Sequence, residues 1–173
     1  MTPPSQPSPL GRYDASSGEQ PTREVRLINV PVRVLAASRQ QHDELMHEFA
    51  VLAVSLEDRS SVPARMLDLI DTLGTQYGRA ADRPDAALDE ALARGEQSVD
   101  LTYEVPAHVV EAADALEHMM NEADQFCRQE QMLALARSEV QHRFAQWYLD
   151  EFRRQVAGEP PRPWDGPYDD SDG

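Results

Sequence analysis

Lysine is absent from the sequence, so all 16 basic residues are arginine. This absence excludes site chemistry that depends on a lysine amine, such as a Walker A loop, a protein-kinase lysine, a Schiff base or a Ser-Lys nucleophile. The sequence also lacks a G-x-S-x-G motif, a Cys-His signature and a glycine-rich phosphate loop. It therefore predicts a protein without catalytic activity and without a bound cofactor.

Cysteine is nearly absent too, with Cys127 as the sole example. One thiol cannot form an internal disulfide, and its place on an apolar helical stripe predicts a buried, unreactive residue. No apolar run approaches the roughly 18 residues of a membrane span, and the N-terminal residues lack the basic-then-apolar layout of a signal peptide. These features favour the reducing cytoplasm and predict no association with a membrane.

Positive charge is scarce relative to negative charge, with 31 acidic against 16 basic residues and a formal net charge of −15. An acidic surface repels both nucleic acid and anionic membranes. We therefore expect neither of them as a partner.

The strongest pattern in the chain is a strand that leads directly into a helix, over residues 98–128. Residues 98–105 alternate between apolar and polar side chains, as expected of a strand with one buried face. Pro106 cannot continue a strand interior but suits the first turn of a helix. The apolar residues that follow recur at helical spacing along one stripe: Val109, Ala112, Ala113, Leu116, Met119, Met120, Ala123, Phe126 and Cys127.

An earlier strand is predicted at about residues 24–37. Its apolar alternation changes phase near Asn29, which indicates a β-bulge or a break. Pro31 places the strand at an edge or at an interruption. It is the obvious partner for residues 98–105, although the long connection leaves parallel and antiparallel pairing open.

Capping signals place the remaining helices. One begins at Ser38, with Gln41 completing a capping box. The others are predicted from Ser60 or Ser61 to about Gly78 with Pro63 in the first turn, from Pro84 to Arg94 with Gly95 closing the helix, and from the capping box of Ser138 and Gln141 to about Gly158.

These elements predict an α+β fold that is mostly helical, with two short strands (about 24–37 and 98–105) packed with four to five amphipathic helices. The Pro-, Ser- and Gly-rich composition of residues 1–22 predicts a disordered arm. Residues 23–158 form the expected single domain, and residues 159–173 form a proline-rich acidic tail.

Two E-x-x-H pairs, Glu44 with His47 and Glu139 with His142, match the spacing of ligands in a di-iron helix bundle. Ligands of such a metal must point into the bundle. Both pairs point away from the apolar stripes of their own helices, so we expect no metal site.

His42 lies on the core side of the helix predicted to begin at Ser38. A histidine at the edge of an apolar stripe is commonly a packed residue with one satisfied nitrogen. The alternative is a role in a pocket or a pH-sensitive switch, and His42 is the candidate residue for such a site.

The apolar residues of the last helix cover roughly half of its circumference, which is more than packing on one core requires. Trp147, Tyr148 and Phe152 lie on this broad face, and together with Trp164 they form a candidate interaction surface. Its second side is predicted to contact the chain's own tail through Trp164, a partner protein, or a second copy of the chain. The remaining alternative is that the protein's own short helices cover both sides.

Residues 29–53, 98–106 and 147–164 resemble a group of small actinobacterial proteins. These proteins occur among anti-sigma factors, STAS-domain anti-anti-sigma factors and phosphatases of partner-switching systems. The resemblance covers about residues 24–164 and implies a regulatory role exerted through protein binding. It transfers no active-site residues, and the glycine-rich lid of the ATP-binding anti-sigma kinases is absent from the sequence.

Three functions follow from these observations. The first is a non-catalytic cytoplasmic regulatory module that binds a partner protein or forms a homodimer, placed in a partner-switching or sigma-factor control pathway. The second is a small-molecule sensor with a pocket between the strands and the helices. The third, and least favoured, is a helical metalloprotein.

Overall fold

The computed structural model describes residues 21–56, 58–130, 132 and 135–169 of the chain. The elements in chain order are β1 (Thr22–Pro31), α1 (Val32–Leu56), α2 (Val62–Ala93), β2 (Ser98–Pro106), α3 (Val109–Gln129) and α4 (Glu139–Val156). Within these residues the fold is α+β and mostly helical, with four helices and one two-stranded sheet, which confirms the predicted class. The arm predicted at residues 1–22 lies almost entirely outside the described residues.

The sheet pairs β1 with β2 in the antiparallel sense, which the sequence left open. Leu27 pairs with Leu101 and Val30 pairs with Val99, and the register shifts between these two pairs. Asn29 occupies the shift with a φ of 63°, in the left-handed region that Asn tolerates better than most residues. The change of phase in the sequence is therefore a β-bulge, one of the two predicted alternatives.

The first strand is shorter than predicted, because residues 32–37 belong to α1 instead. Pro31 has no N–H group with which to continue the strand pairing. The N–H of Val32 donates to the carbonyl of Gln97, just before β2, at 3.1 Å and closes the ladder. Ser38, predicted to cap this helix, consequently lies inside it.

One long helix, α2, replaces the two helices predicted in this part of the chain. Its N-terminus is as predicted, since Ser61 caps it and Pro63 lies in the first turn. Pro84, predicted to start a separate helix, lies inside α2 and is buried. The helix continues because Leu88, one turn later, packs in the core, and this burial offsets the hydrogen bond lost at the proline. Gly95, with a φ of 69°, follows the end of the helix as predicted.

The two C-terminal helices have the predicted apolar stripes. Pro106, predicted for the first turn of a helix, is instead the last residue of β2 and pairs with Thr22, and α3 begins at Val109. Cys127 is fully buried on the α3 stripe, and this burial raises the pKa of its thiol. The α4 capping box is present, with Ser138 Oγ accepting from the Gln141 N–H at 3.1 Å and Gln141 Oε1 accepting from the Ser138 N–H at 3.0 Å. Among the described residues, none of the helices has the length and apolar character needed to cross a membrane.

The apolar interior contains two clusters. The sheet-side cluster joins the sheet, α4 and the C-terminal segment, and it includes Val25, Leu27, Val30, Leu35, Leu101, Tyr103, Phe144, Trp147, Phe152 and Trp164. The helical cluster includes Phe49, Met66, Met119, Ala123 and Cys127.

The segment after α4 returns to the sheet and packs against it. Trp164 is 2% exposed, and its backbone N–H donates to the carbonyl of Ile28 at 3.0 Å. Asn29 Nδ2 donates to the Trp164 carbonyl at 2.9 Å. Glu151, fully buried on α4, accepts a hydrogen bond from the N–H of Arg162 at 2.9 Å. The β-bulge and one buried carboxylate therefore supply the polar groups that hold this segment in place.

Candidate functional site

A cavity of about 180 Å³, here named the α1 cavity, lies between α1, α3 and α4. Leu35 and Phe144 of the sheet-side cluster line it together with Met66 and Ala123 of the helical cluster, so it lies where the two clusters meet. The other apolar residues of its walls are Leu45, Leu116, Met120, Leu135, Ala145 and Leu149. Apolar walls with a few convergent polar groups are typical of small-molecule sites.

Ser38 and His42 line this cavity from the same face of α1, because residues four apart on a helix are neighbours. The Oγ of Ser38 is buried and has no hydrogen-bond partner. Burial lowers the pKa of His42 from its usual 6.5, and the nearby Asp43 partly offsets this effect. His42 is therefore neutral at physiological pH, so that both His42 and Ser38 present an uncharged polar group to an apolar space.

A buried charged pair borders the α1 cavity and is already neutralised. Arg137 Nη2 and Nε donate to Asp124 Oδ2 at 2.7 and 2.9 Å, and Arg137 Nη2 also donates to Asn121 Oδ1 at 3.0 Å. His142 Nδ1 lies 3.8 Å from the same Asp124 oxygen. The side chains of Asp124 and Arg137 are only 7% and 13% exposed. Because the two residues satisfy each other, neither charge remains available to a ligand.

The amides that line the α1 cavity also have partners within the fold. Gln41 Nε2 donates to the carbonyl of Leu135 at 2.9 Å, and Gln141 completes the α4 capping box. The Ser38 hydroxyl, in contrast, is buried and unpaired. It is therefore the polar group through which the cavity is best able to hold a ligand.

A further cavity of about 210 Å³, here named the α2 cavity, lies between α2, β2, α3 and α4. Leu116, Tyr148 and Leu149 line both cavities and form the partition between them. The Tyr148 hydroxyl donates to the Tyr103 hydroxyl at 2.6 Å. Burial raises the pKa of Tyr103 and raises that of Tyr148 well above its usual 10.0. Both phenols therefore stay protonated at physiological pH and add no charge to either cavity.

The interaction surface predicted on α4 is instead buried within the protein. Trp147, Phe152 and Trp164 are 8%, 6% and 2% exposed, and Tyr148 is half-buried between the two cavities. Trp164 packs edge-on against Phe144 and Trp147, with ring centroids 5.5 and 5.4 Å apart. The chain's own tail thus covers the second side of α4, which is one of the predicted alternatives. These four candidate residues do not form an exposed surface for a partner.

None of the four residues of the two E-x-x-H pairs lines either cavity. Glu44 and His47 are exposed on α1, and Glu139 is exposed at the start of α4. His142 lies beside Asp124, which is bound to Arg137. Within the residues that the structure describes, no group of three or more His, Cys, Asp or Glu side chains is arranged to hold a metal ion.

The sequence points to His42 but not to Ser38, whose capping-box pattern suggests a helix start. A signal for Ser38 exists, because Leu35, Ser38, His42 and Leu45 recur at helical spacing once the helix is extended to Val32. The unpaired state of its hydroxyl has no counterpart in the sequence, since it depends on which side chains surround it after folding.

Comparison of the chain with protein-family models, with curated proteins and with solved structures finds no match in any of the three. The choice of a function therefore depends on the geometry and the chemistry of the cavities.

Proposed function

We propose that this protein is a non-catalytic sensor that binds an uncharged, mostly apolar small molecule in the α1 cavity. The observation that carries the proposal is the Ser38 hydroxyl, which is buried without a hydrogen-bond partner beside an apolar space. A buried polar group left unpaired costs about 1–3 kcal/mol. A ligand with a hydroxyl, carbonyl or amide group recovers that cost, and its apolar part fills the remaining volume.

The electrostatics of the cavity support an uncharged ligand. Burial keeps His42 neutral, and Asp124 and Arg137 already satisfy each other. An ionic ligand in this space would bring in an unpaired charge, at a cost of several kcal/mol. A neutral alcohol, ketone or amide meets no such penalty.

The output of such a sensor is regulatory, and we place it in the cytoplasm. The absence of lysine and of nucleophile motifs supports a protein that binds rather than transforms its ligand. The single buried thiol is compatible with a reducing compartment. A ligand in the α1 cavity contacts α1, α3 and α4 at once, so its binding energy stabilises the packing of three helices. A partner-switching pathway, which the sequence resemblance implies, is the setting that we propose for this signal.

The test is ligand-dependent thermal unfolding with hexanol as the probe. Binding to the folded state raises its free energy of unfolding by about 2.7 kcal/mol when the free ligand reaches 100 times its dissociation constant. We expect a saturable rise in melting temperature for the wild type. The polar molecule mannitol, at the same concentrations, should leave the melting temperature unchanged apart from the small effect of an osmolyte.

Ala145→Leu provides the matched variant, because Ala145 lines the α1 cavity and the added methyl groups occupy its volume. Ala115→Leu is the control, since Ala115 is exposed on α3. Hexanol should stabilise the control variant as it does the wild type and should not stabilise Ala145→Leu. Equal stabilisation of both variants would show that hexanol acts elsewhere and would refute the site.

A second candidate function is the protein-binding module that the resemblance implies, acting through the exposed end of α1. Val51 and Val54 are 52% and 78% exposed, and Leu56 is 49% exposed. Exposed apolar side chains clustered in this way mark interaction sites more often than scattered ones do. The formal net charge of −15 favours a partner whose surface is basic over a second copy of this acidic chain.

The double substitution Val51→Ser and Val54→Ser tests this second function. It should reduce co-purification of a basic protein partner from the native lysate. Leu92→Ser is the control and should not reduce it, because Leu92 is also an exposed apolar residue but lies on a different helix, near the end of α2. Sedimentation of the purified protein tests the homodimer. If the protein forms a concentration-dependent dimer and the double substitution dissociates it, the partner at this surface is a second copy of the chain and not a basic protein.

A further inference from the structure

The α1 cavity is small for a complete natural ligand. Its volume of about 180 Å³ is close to the roughly 150 Å³ that accommodates one benzene ring. Small-molecule sites commonly measure about 300–1,000 Å³. The α2 cavity, at about 210 Å³, is also below this range, but the two cavities together reach it.

The partition between the two cavities consists of three side chains and is mostly apolar. The ring of Tyr148 is fixed at its hydroxyl by Tyr103, at 2.6 Å. Leu116 has no polar group, so only van der Waals contacts hold its rotamer. Leu149, the other apolar side chain of the partition, is 5% exposed, whereas Leu116 is only partly buried. We therefore expect rotation of the Leu116 side chain to another staggered rotamer to join the cavities.

Polar groups are distributed unequally along the joined space. Ser38 and His42 lie in the α1 cavity, and the Ser38 hydroxyl is unpaired. The α2 cavity is lined by alanine, aliphatic and aromatic side chains, and its polar side-chain atoms are tyrosine hydroxyls, two of which bond to each other. The joined space therefore suits a molecule with a polar group at one end and a hydrocarbon chain at the other.

We propose that the ligand is an elongated, uncharged amphiphile such as an aliphatic alcohol or amide. Its polar group bonds to Ser38 in the α1 cavity, and its chain passes Leu116 and enters the α2 cavity. This inference rests on the proposed function and adds to it the shape and the chemical class of the ligand.

A series of straight-chain alcohols tests the inference with the full-length protein. Dissociation constants are measured calorimetrically for butanol, hexanol and octanol. Each added methylene that enters an apolar space should tighten binding by about fourfold. We expect this gain to continue through octanol, because its chain reaches the α2 cavity. A gain that stops at hexanol would overturn the elongated ligand and leave the proposed function standing.

Ala112→Leu separates the two cavities, because Ala112 lines the α2 cavity but not the α1 cavity. This substitution should return the affinity for octanol to about that for hexanol and should leave butanol binding unchanged. Ala81→Leu, from the opposite wall of the α2 cavity on α2, should have the same effect and provides a second variant if the first does not fold. Ala115→Leu is again the exposed control.

The outcomes distinguish the inference from the proposed function. If Ala145→Leu abolishes octanol binding but Ala112→Leu and Ala81→Leu do not weaken it, the ligand is confined to the α1 cavity and the inference is wrong. If the wild type binds none of the three alcohols, both the inference and the proposed function are wrong.

Discussion

The indole ring of Trp164 packs edge-on against that of Trp147, with ring centroids 5.4 Å apart. Trp147 Nε1 donates to the carbonyl of Arg162 at 3.1 Å, and Trp164 Nε1 donates to the carbonyl of Pro167 at 3.0 Å. Both indoles thus bury their rings and satisfy their N–H groups within the C-terminal segment. This contact joins the end of the chain to α4, one of the helices that line both cavities.

Trp164→Ala should lower the free energy of unfolding by about 3–5 kcal/mol, because it removes a large side chain that is 2% exposed. Asp165→Ala is the control, since Asp165 is exposed and its ion pair with Arg143 is worth at most about 1 kcal/mol. Urea denaturation measures both variants. A Trp164→Ala protein within about 1 kcal/mol of the wild type would show that the indole is not part of the core.

Glu151→Ala should loosen the same C-terminal segment from α4, because it removes a polar contact that holds the segment in place. The fully buried carboxylate accepts from the Arg162 N–H at 2.9 Å and from Arg154 and Gln155 at 3.0 Å each. The variant should lose about 1–3 kcal/mol of stability, because the Arg162 N–H loses its acceptor. Cleavage by chymotrypsin after Trp164, which is buried while the segment is attached, should become faster. Asp150→Ala, an exposed neighbour on the same helix, should change neither quantity. An unchanged cleavage rate in Glu151→Ala would contradict this role.

The sequence predicts those features whose causes are local. The bulge at Asn29 follows from a change of phase within one strand, and the α4 capping box follows from Ser138 and Gln141 alone. The boundary between β1 and α1 is harder to predict from the sequence. It depends on the hydrogen bond from the Val32 N–H to the carbonyl of Gln97, which lies far along the chain. The continuation of α2 past Pro84 is also hard to predict, because it depends on packing in the core.

The volumes and the exact positions of the cavities could not be predicted from the sequence, although His42 marks the face of α1 that lines one of them. A cavity is the volume that side chains from several helices leave unfilled, and it changes with small shifts between those helices. The pocket between strands and helices stays a prediction, since the α2 cavity lies beside a strand whereas the α1 cavity lies among the helices. Only the α2 cavity includes a strand residue, Tyr103.

Ser38→Ala should separate stability from binding. Removing a buried, unpaired hydroxyl should raise the free energy of unfolding of the unliganded protein by about 1–3 kcal/mol. The same change should weaken hexanol binding by about two- to tenfold and leave benzene binding unchanged, because benzene makes no hydrogen bond to Ser38. Ser55→Ala, an exposed serine on the same helix, serves as the control. Loss of stability in Ser38→Ala would mean that its hydroxyl has a partner in the folded state.

His42 should make stability fall at mildly acidic pH. Burial lowers its pKa in the folded protein from the usual 6.5, so the unfolded chain binds the proton more readily. The contribution of neutral His42 to the free energy of unfolding is complete above pH 6.5. It is lost as the pH falls towards the lowered pKa, with a slope of at most about 1.4 kcal/mol per pH unit.

The variants His42→Gln and His47→Gln isolate this effect in urea denaturation at several pH values. His42→Gln should lose less stability than the wild type between about pH 6.5 and pH 5. His47→Gln should behave like the wild type, because His47 is exposed on the same helix. Equal slopes for the two variants would exclude His42 as a source of the pH dependence.

The central claim is that a neutral, mostly apolar molecule binds beside Ser38 and His42. Nuclear magnetic resonance of the His42 ring during a titration with hexanol tests it most directly, because His42 lines the α1 cavity. The ring signals should shift saturably in the wild type and in Ala115→Leu, and they should not shift in Ala145→Leu. Ring signals that remain fixed in the wild type, or that shift equally in Ala145→Leu, would contradict the assignment of this cavity as the binding site.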